Sequence, residues 1–276
     1  MLSLGYSPCP NDTFIFYGLA HGKIGTGDLR FREVLEDVET LNTMAREARL
    51  DITKVSFHAF GHLRKTYGML RSGAALGRGC GPILVAKKKA KLTDLRGRTI
   101  AIPGTLTTAF LLLQICDPQL AASVKPMPFH RIMDAVAVGE ADAGLLIHEG
   151  RFTYRLRGLE PVADLGAWWE AETGLPIPLG CILARRTLGS DVISTVDDAI
   201  RRSIDYAFSH ASEPRDYIRR HAQELDDDVI SRHIGLYVND FSRDIGDEGL
   251  RAVEELFRRA EAQGIIPGSD LPVLAR

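Results

Sequence analysis

Gly174-Leu-Pro-Ile-Pro-Leu-Gly180 decides how this chain is divided. Two prolines and two glycines in seven residues stop any helix, and they separate alternating strand and helix patterns from an almost wholly helical tail. A second glycine-rich run, Gly77-Arg-Gly-Cys-Gly81, lies well upstream. Two such crossings bracket the middle of the chain. Residues 1–87 together with 181–276 are therefore expected to form a larger discontinuous α/β lobe. Residues 88–180 form a smaller α/β lobe, and a hinge cleft lies between the two.

Outward from the crossings, the grammar is strand then helix. Leu2–Tyr6 alternates apolar and polar residues as a short strand does, and Asn11-Asp12-Thr13 can cap a helix that runs to Ala20. Leu29–Val34 reads as a strand, Glu39–Glu47 as a helix and Ile52–Ser56 as a strand, followed by a helix from His58 to about Leu70. In the middle, Arg98–Ile102 is a strand closed by Pro103-Gly104, and Thr107–Ile115 is a buried helix. Ile132–Val138 suits a helix, and Ala143–Ile147 is an apolar strand ending at His148-Glu149-Gly150. Beyond the second crossing, Asp191–His210 carries Val192, Val196, Ile200, Ile204 and Ala207 as one buried stripe. Further helices start at Ser212-Glu-Pro214, cover Asp227–Tyr237, and run from Glu248 to Gln263. Such alternation predicts mixed, mostly parallel sheets with flanking helices.

Composition excludes several classes. Hydrophobic residues at 45% and charged residues at 25% are globular values, which rules out a disordered chain. A net charge of −2 gives no reason to expect nucleic acid or an anionic membrane as partner. The N-terminus lacks a basic region, Pro8 and Pro10 interrupt it, and no segment reaches the roughly 20 apolar residues of a spanning helix. A cytoplasmic protein is expected. The four cysteines form no C-x-x-C pair, which suits reduced thiols and argues against a structural zinc site. Nothing in the sequence specifies an oligomeric state.

In open α/β sheets ligands collect beyond the carboxyl ends of strands. Four segments carry polar residues there: Ser7–Thr13 with Asn11 and Asp12, Ser56, Gly104–Thr108, and His148. At Gly104–Thr108 the free N–H groups of a helix start favour a carboxylate or phosphate, and the hydroxyls of Thr107 and Thr108 add donors; plain helix capping explains the same residues. His148 can serve as a general base near neutral pH or as a hydrogen-bonded histidine at the edge of a core. Glu149 is a doubtful orienting partner for it, because adjacent strand residues point to opposite faces. Cys9 reads as a structural thiol. His58 and His62 share a helix face at zinc-ligand spacing, but the glutamate that should follow the first is absent, so a solvated face is expected. At least one of Trp168 and Trp169 should be core, and Lys87–Lys89 an exposed run.

Longer tracts carry a resemblance. Ser7-Pro-Cys-Pro-Asn-Asp-Thr-Phe-Ile-Phe16, Val34-Leu-Glu-Asp-Val-Glu-Thr-Leu-Asn42 and Ser72-Gly-Ala-Ala-Leu-Gly-Arg-Gly-Cys-Gly-Pro82 look like one family. So do Ile147-His-Glu-Gly-Arg-Phe-Thr-Tyr154, Asp164-Leu-Gly-Ala-Trp-Trp-Glu170 and Gly174–Gly180. The family is the 1,4-dihydroxy-6-naphthoate synthases of the futalosine route to menaquinone, and the architecture resembles the type II periplasmic-binding-protein fold. The similarity runs from residue 1 to about residue 260; residues 105–106 and 117–128 depart from it. The resemblance implies a lyase that converts cyclic dehypoxanthine futalosine, a small carboxylate, into 1,4-dihydroxy-6-naphthoate with release of a sugar fragment. It implies no organic cofactor and no metal. The family's base falls on His148, and its polar ligand contacts fall on Ser56, Thr107 and Thr108. Two alternatives share the fold: the chorismate dehydratase of the same pathway, and a small-anion-binding protein without catalysis. The Pro-Cys-Pro-Asn-Asp-Thr tract and the His-Glu-Gly run fit the naphthoate synthases better.

Overall fold

A computed structural model describes residues 1–222 and 226–275; the remaining positions, 223–225 and 276, fall in the tail assigned to the larger lobe. The chain begins β1 (Leu2–Tyr6), α1 (Pro10–Ala20), β2 (Phe31–Leu35), α2 (Val38–Arg46), β3 (Ile52–Ser56) and α3 (Phe57–Leu63). Two short strands follow, β4 (Tyr67–Met69) and β5 (Ala75–Gly77), then β6 (Ile83–Ala86). The middle contains β7 (Ile100–Ile102), α4 (Thr108–Cys116), β8 (Val124–Pro126), α5 (Ile132–Val138), β9 (Ala143–Leu146) and α6 (Gly150–Thr153). It closes with β10 (Glu160–Asp164) and α7 (Leu165–Thr173), and β11 (Ile177–Arg185) returns. The tail is helical: α8 (Ser190–Ser209), α9 (Arg215–His221), α10 (Asp227–Tyr237), α11 (Asp240–Arg243) and α12 (Gly246–Ala262).

Two sheets result. The first has the order β2-β1-β3-β11-β4, with β5 also on β11, and the second β10-β6-β9-β7-β8. In each, the strands that carry the site run parallel: β1 with β2 and β3, and β7 with β8 and β9. Antiparallel β11 and β6 complete them. All five residues of β3 are buried, as are those of β7 and β9, because helices cover both faces.

Pairing corrects the expected division. β6 bonds to β9 and β10, so the chain enters the second sheet between Gly77 and Ile83, ahead of the boundary expected after residue 87. The return also comes early. Ile177–Gly180 is already strand, and Pro178 is tolerated there because this end of β11 pairs with β5 on one side alone. At the first crossing a Cβ on Gly166 would lie 1.7 Å from the carbonyl oxygen of Cys80. Only glycine lets α7 start against the crossing chain.

The helix expected to reach about Leu70 stops at Leu63. Tyr67–Met69 turn instead to pair with β11, and the Tyr67 hydroxyl donates to the Leu50 carbonyl at 2.6 Å. Trp169 is fully buried, its indole N–H donating to the Pro176 carbonyl at 3.1 Å, while Trp168 is half-buried. Lys87–Lys89 are exposed. One apolar cluster joins both sheets, with Phe57, Phe60 and Leu183 from the first lobe against Leu84, Ile100, Leu111 and Leu145 from the second. The lobes therefore meet through packed core as well as through the two crossings. Among the described residues no helix is long and apolar enough to cross a membrane.

Candidate active site

The carboxyl ends of β1, β3, β7 and β9 converge where the two sheets face each other, and every polar segment picked out in the sequence borders the space between them. An inner chamber of about 100 Å³ is lined by Ser7, Asn11, Asp12, Lys54, Ser56, Thr107, Thr108 and His148, with Leu179, Gly180 and Tyr237. An outer mouth of about 680 Å³ is bounded by Cys9, Glu39, Gly104, Phe129, His148 and Glu149 among others. His148 borders both. With Val38 and Ile147 it lies on the wall the two spaces share.

On the β1 side, Pro10 opens α1, where its missing N–H costs nothing. Asn11, Asp12 and Thr13 in the first turn are buried. Asp12 is fully engaged: Oδ2 accepts from the Ser7 amide at 3.1 Å and the Ser7 hydroxyl at 2.7 Å, and Oδ1 from Asn11 Nδ2 at 2.9 Å. Oδ1 also pairs with Lys54 Nζ at 3.0 Å, and that ammonium donates to the Gly73 carbonyl at 2.9 Å. Asp12 thus holds the wall together with an ion pair whose side chains are 6% and 3% exposed. Sequence reasoning passed over Lys54. Its signal was a lysine in the middle of a strand, Ile52–Ser56, of a sheet covered on both faces, where it must find a counter-charge.

Ser56 ends β3. Its amide donates to Asn42 Oδ1 at 2.9 Å and its hydroxyl accepts from Asn42 Nδ2 at 3.3 Å, which leaves the hydroxyl proton without an acceptor among the described residues. Opposite it, α4 begins as the sequence predicted, but the hydroxyls play a different part from the one expected. Thr107 Oγ1 donates to the Gly104 carbonyl at 2.8 Å and accepts from the Phe110 amide at 3.3 Å, a cap. Thr108 Oγ1 donates to the Leu179 carbonyl at 2.5 Å and accepts from the Phe57 amide at 2.8 Å. Neither hydroxyl has a proton left to give a ligand. The backbone N–H groups of Thr107, Thr108 and Ala109 do, because nothing among the described residues accepts from them. Glu39, unremarked in the sequence, accepts from the Leu106 amide just before them at 3.0 Å.

Thr107→Val should therefore act through the cap. We expect a loss of about 1 kcal/mol in unfolding free energy together with a raised KM, measured by urea titration and steady-state kinetics. An unchanged KM removes this helix start from substrate binding.

His148 lies just beyond β9, half-buried, with φ at 53°. That left-handed backbone breaks the strand alternation and turns Ile147–Glu149 into the cleft. The imidazole lies nearly parallel, at 7°, to the His233 ring on α10 with centroids 5.8 Å apart, and the Phe129 ring is tilted 49° to it at 5.1 Å. Among the described residues no group hydrogen-bonds its ring nitrogens. Burial lowers its pKa. A neutral ring with an unengaged lone pair is the form a general base requires.

His233 had no signal in the sequence, since it sits on an ordinary helical face. It is 1% exposed, its Nε2 lies 2.9 Å from Asn11 Oδ1, and burial pushes its pKa well down. Glu149 makes no bond to His148, as expected, yet its carboxylate points toward the ring of His233.

The remaining candidates resolve simply. Cys9 is buried, and desolvation pushes its thiol well up, which keeps it protonated. The solvated face expected for His58 is corrected: α3 packs against α4, so His58 is 3% exposed, with Nδ1 3.3 Å from the Thr107 carbonyl and a pKa lowered by burial to about 4. Among the described residues no three or more histidine, cysteine, aspartate or glutamate side chains gather as a metal site.

Comparison with known proteins places the chain in a family. The family described as menaquinone biosynthesis matches residues 2–262. A 1,4-dihydroxy-6-naphthoate synthase of Thermus thermophilus is 53% identical over 99% of this chain and 98% of its own. The enzyme of the same name from Streptomyces coelicolor is 44% identical over 99% and 98%. A Candida albicans protein described as having the generic periplasmic-binding-protein fold superposes with a TM-score of 0.73 at 14% identity, covering 98% of this chain and 92% of its own. That last likeness shows the fold alone. With the family match spanning nearly the whole sequence and relatives this similar from end to end, the chain belongs to the menaquinone-biosynthesis enzymes of the 1,4-dihydroxy-6-naphthoate synthase family.

Proposed function

We propose that the chain converts cyclic dehypoxanthine futalosine into 1,4-dihydroxy-6-naphthoate, with His148 as general base. The observation that carries this reading is the position of His148, a neutral imidazole with free ring nitrogens at the junction of chamber and mouth. The substrate carboxylate binds the open amides of Thr107, Thr108 and Ala109, with the Ser56 hydroxyl as a further donor. This anchors one end of the substrate in the chamber and sets its sugar-derived ring against His148. The imidazole removes a proton from that ring. The electron pair left behind drives cleavage of a carbon–carbon bond, and aromatisation of the naphthalene supplies the driving force.

The test is a product assay with cyclic dehypoxanthine futalosine. Formation of the naphthoate supports the reading. Binding without turnover, or dehydration of chorismate in its place, rejects it in favour of a binding protein or of the dehydratase.

The lowered pKa of His148 sets the pH dependence. The base form persists to lower pH than for a free imidazole, so kcat/KM should hold as pH falls and decline only below about 6.5, the ordinary histidine value. A pH–rate profile that already declines above that value contradicts the assignment.

A further inference from the structure

Glu149 and His233 present an unbalanced pair across the cleft. Glu149 Oε2 and His233 Nδ1 are both buried with no hydrogen-bond partner, and they lie 3.9 Å from each other. The tautomer of His233 follows from its neighbours. Asn11 Nδ2 donates to Asp12 Oδ1, so Asn11 Oδ1 is the atom that faces His233 Nε2, and Nε2 must carry the ring proton. In a neutral ring Nδ1 is then a bare lone pair directed at a carboxylate oxygen. Two acceptors facing each other repel. A water donating to both atoms would hold them roughly 4.5 Å apart, wider than the 3.9 Å seen. One proton held between Oε2 and Nδ1 satisfies both atoms and draws them together.

The two residues come from opposite lobes. Glu149 directly follows His148 at the end of β9, and His233 stands on α10, which packs on α1 and β5 of the first lobe. The seam continues one residue along, where the Arg232 guanidinium lies over the Phe152 ring at 4.7 Å. His233 also supplies the flat surface on which the His148 ring rests.

We infer that Glu149 and His233 are positioning residues for His148, joined across the cleft by one shared proton, so that the imidazole takes its working orientation only when the smaller lobe is seated on α10. This rests on the reading of His148 as the base. Anchoring Glu149 fixes the left-handed turn at His148, while the His233 ring fixes the plane of the imidazole. Sequence adjacency of His148 and Glu149 then has a purpose that strand alternation hides.

The test uses the full chain and four variants: Glu149→Ala, Glu149→Gln, His233→Phe and His148→Asn. Each is measured for kcat, KM, thermal midpoint and, without substrate, the ring signals of His148 by NMR, assigned by their loss in His148→Asn. Glu149→Ala and His233→Phe should lower kcat about 10–100-fold, with KM changed by no more than about twofold. Glu149→Gln, whose amide N–H can donate to Nδ1 in place of the shared proton, should recover kcat to within about threefold of wild type. The His148 ring signals should move in the Ala and Phe variants and return in the Gln variant. Wild-type kcat in Glu149→Ala, or a Gln variant as slow as the Ala variant, overturns the inference. So does a loss that follows the thermal midpoint while the His148 signals stay fixed. If His233→Phe fails to fold, the Glu149 pair still decides. Wild-type turnover in His148→Asn overturns the base assignment instead, a result the ring signals of the other variants keep separate.

Discussion

His148→Ala should lower kcat about 10²–10⁴-fold with little change in KM, the span general-base help usually covers. The split between the two constants follows from the layout. On the proposed reading the carboxylate is held by Ser56 at the end of β3 and by the start of α4, whereas His148 borders the chamber and contributes little to holding it. The backbone supplies a control. At a φ of 53° alanine is strained, but asparagine accepts the left-handed region, so His148→Asn should keep the wild-type thermal midpoint and still lose turnover. Steady-state kinetics on both variants, with calorimetry, separate chemistry from folding. An Asn variant with wild-type kcat removes His148 from the mechanism.

The largest effect on stability is expected at the wall of the same chamber. Asp12→Ala leaves the Lys54 ammonium buried without its counter-charge, which costs about 3–5 kcal/mol. It also strands the Ser7 amide and hydroxyl, whose acceptor is Asp12 Oδ2. Lys54→Met alone should cost a similar amount, because the carboxylate is then the unpaired buried charge. The double variant Asp12→Asn with Lys54→Met should recover much of either loss, since neither charge remains and the methionine stem fills the space of the lysine. Urea titrations of Asp12→Asn, Lys54→Met and the double variant complete the cycle. Additive losses would show that the pair is not coupled, and that Lys54 is stabilised chiefly by the Gly73 carbonyl.

Much of this was legible in the residues. The run Ile-Thr-Lys-Val-Ser at 52–56 is a strand with those bounds in both readings, and Asp227–Tyr237 is a helix with those bounds. Thr107 was recognised at the start of α4 because a helix that opens on a hydroxyl after Pro103-Gly104 announces its own cap. The errors share one cause. His58 was placed on a solvated face because periodicity within α3 carries no information about α4, which covers it. The helix drawn toward Leu70 ran on because helical propensity says nothing of β11, which recruits Tyr67–Met69.

The sequence by itself determined the alternation of strand and helix, the polar residues waiting at the strand ends, and the family. Spacing of two or four residues is a local property, and long tracts such as Ser7–Phe16 are distinctive without any coordinates. Only the tertiary structure decided which sheet β6 joins, that the hydroxyls of Thr107 and Thr108 are spent within the protein, and that His233 faces Glu149 from 84 positions away in sequence. Those facts depend on hydrogen bonds and burial between segments far apart along the chain. A proton's partner is fixed by what the fold brings within about 3 Å of it, not by its neighbours in sequence.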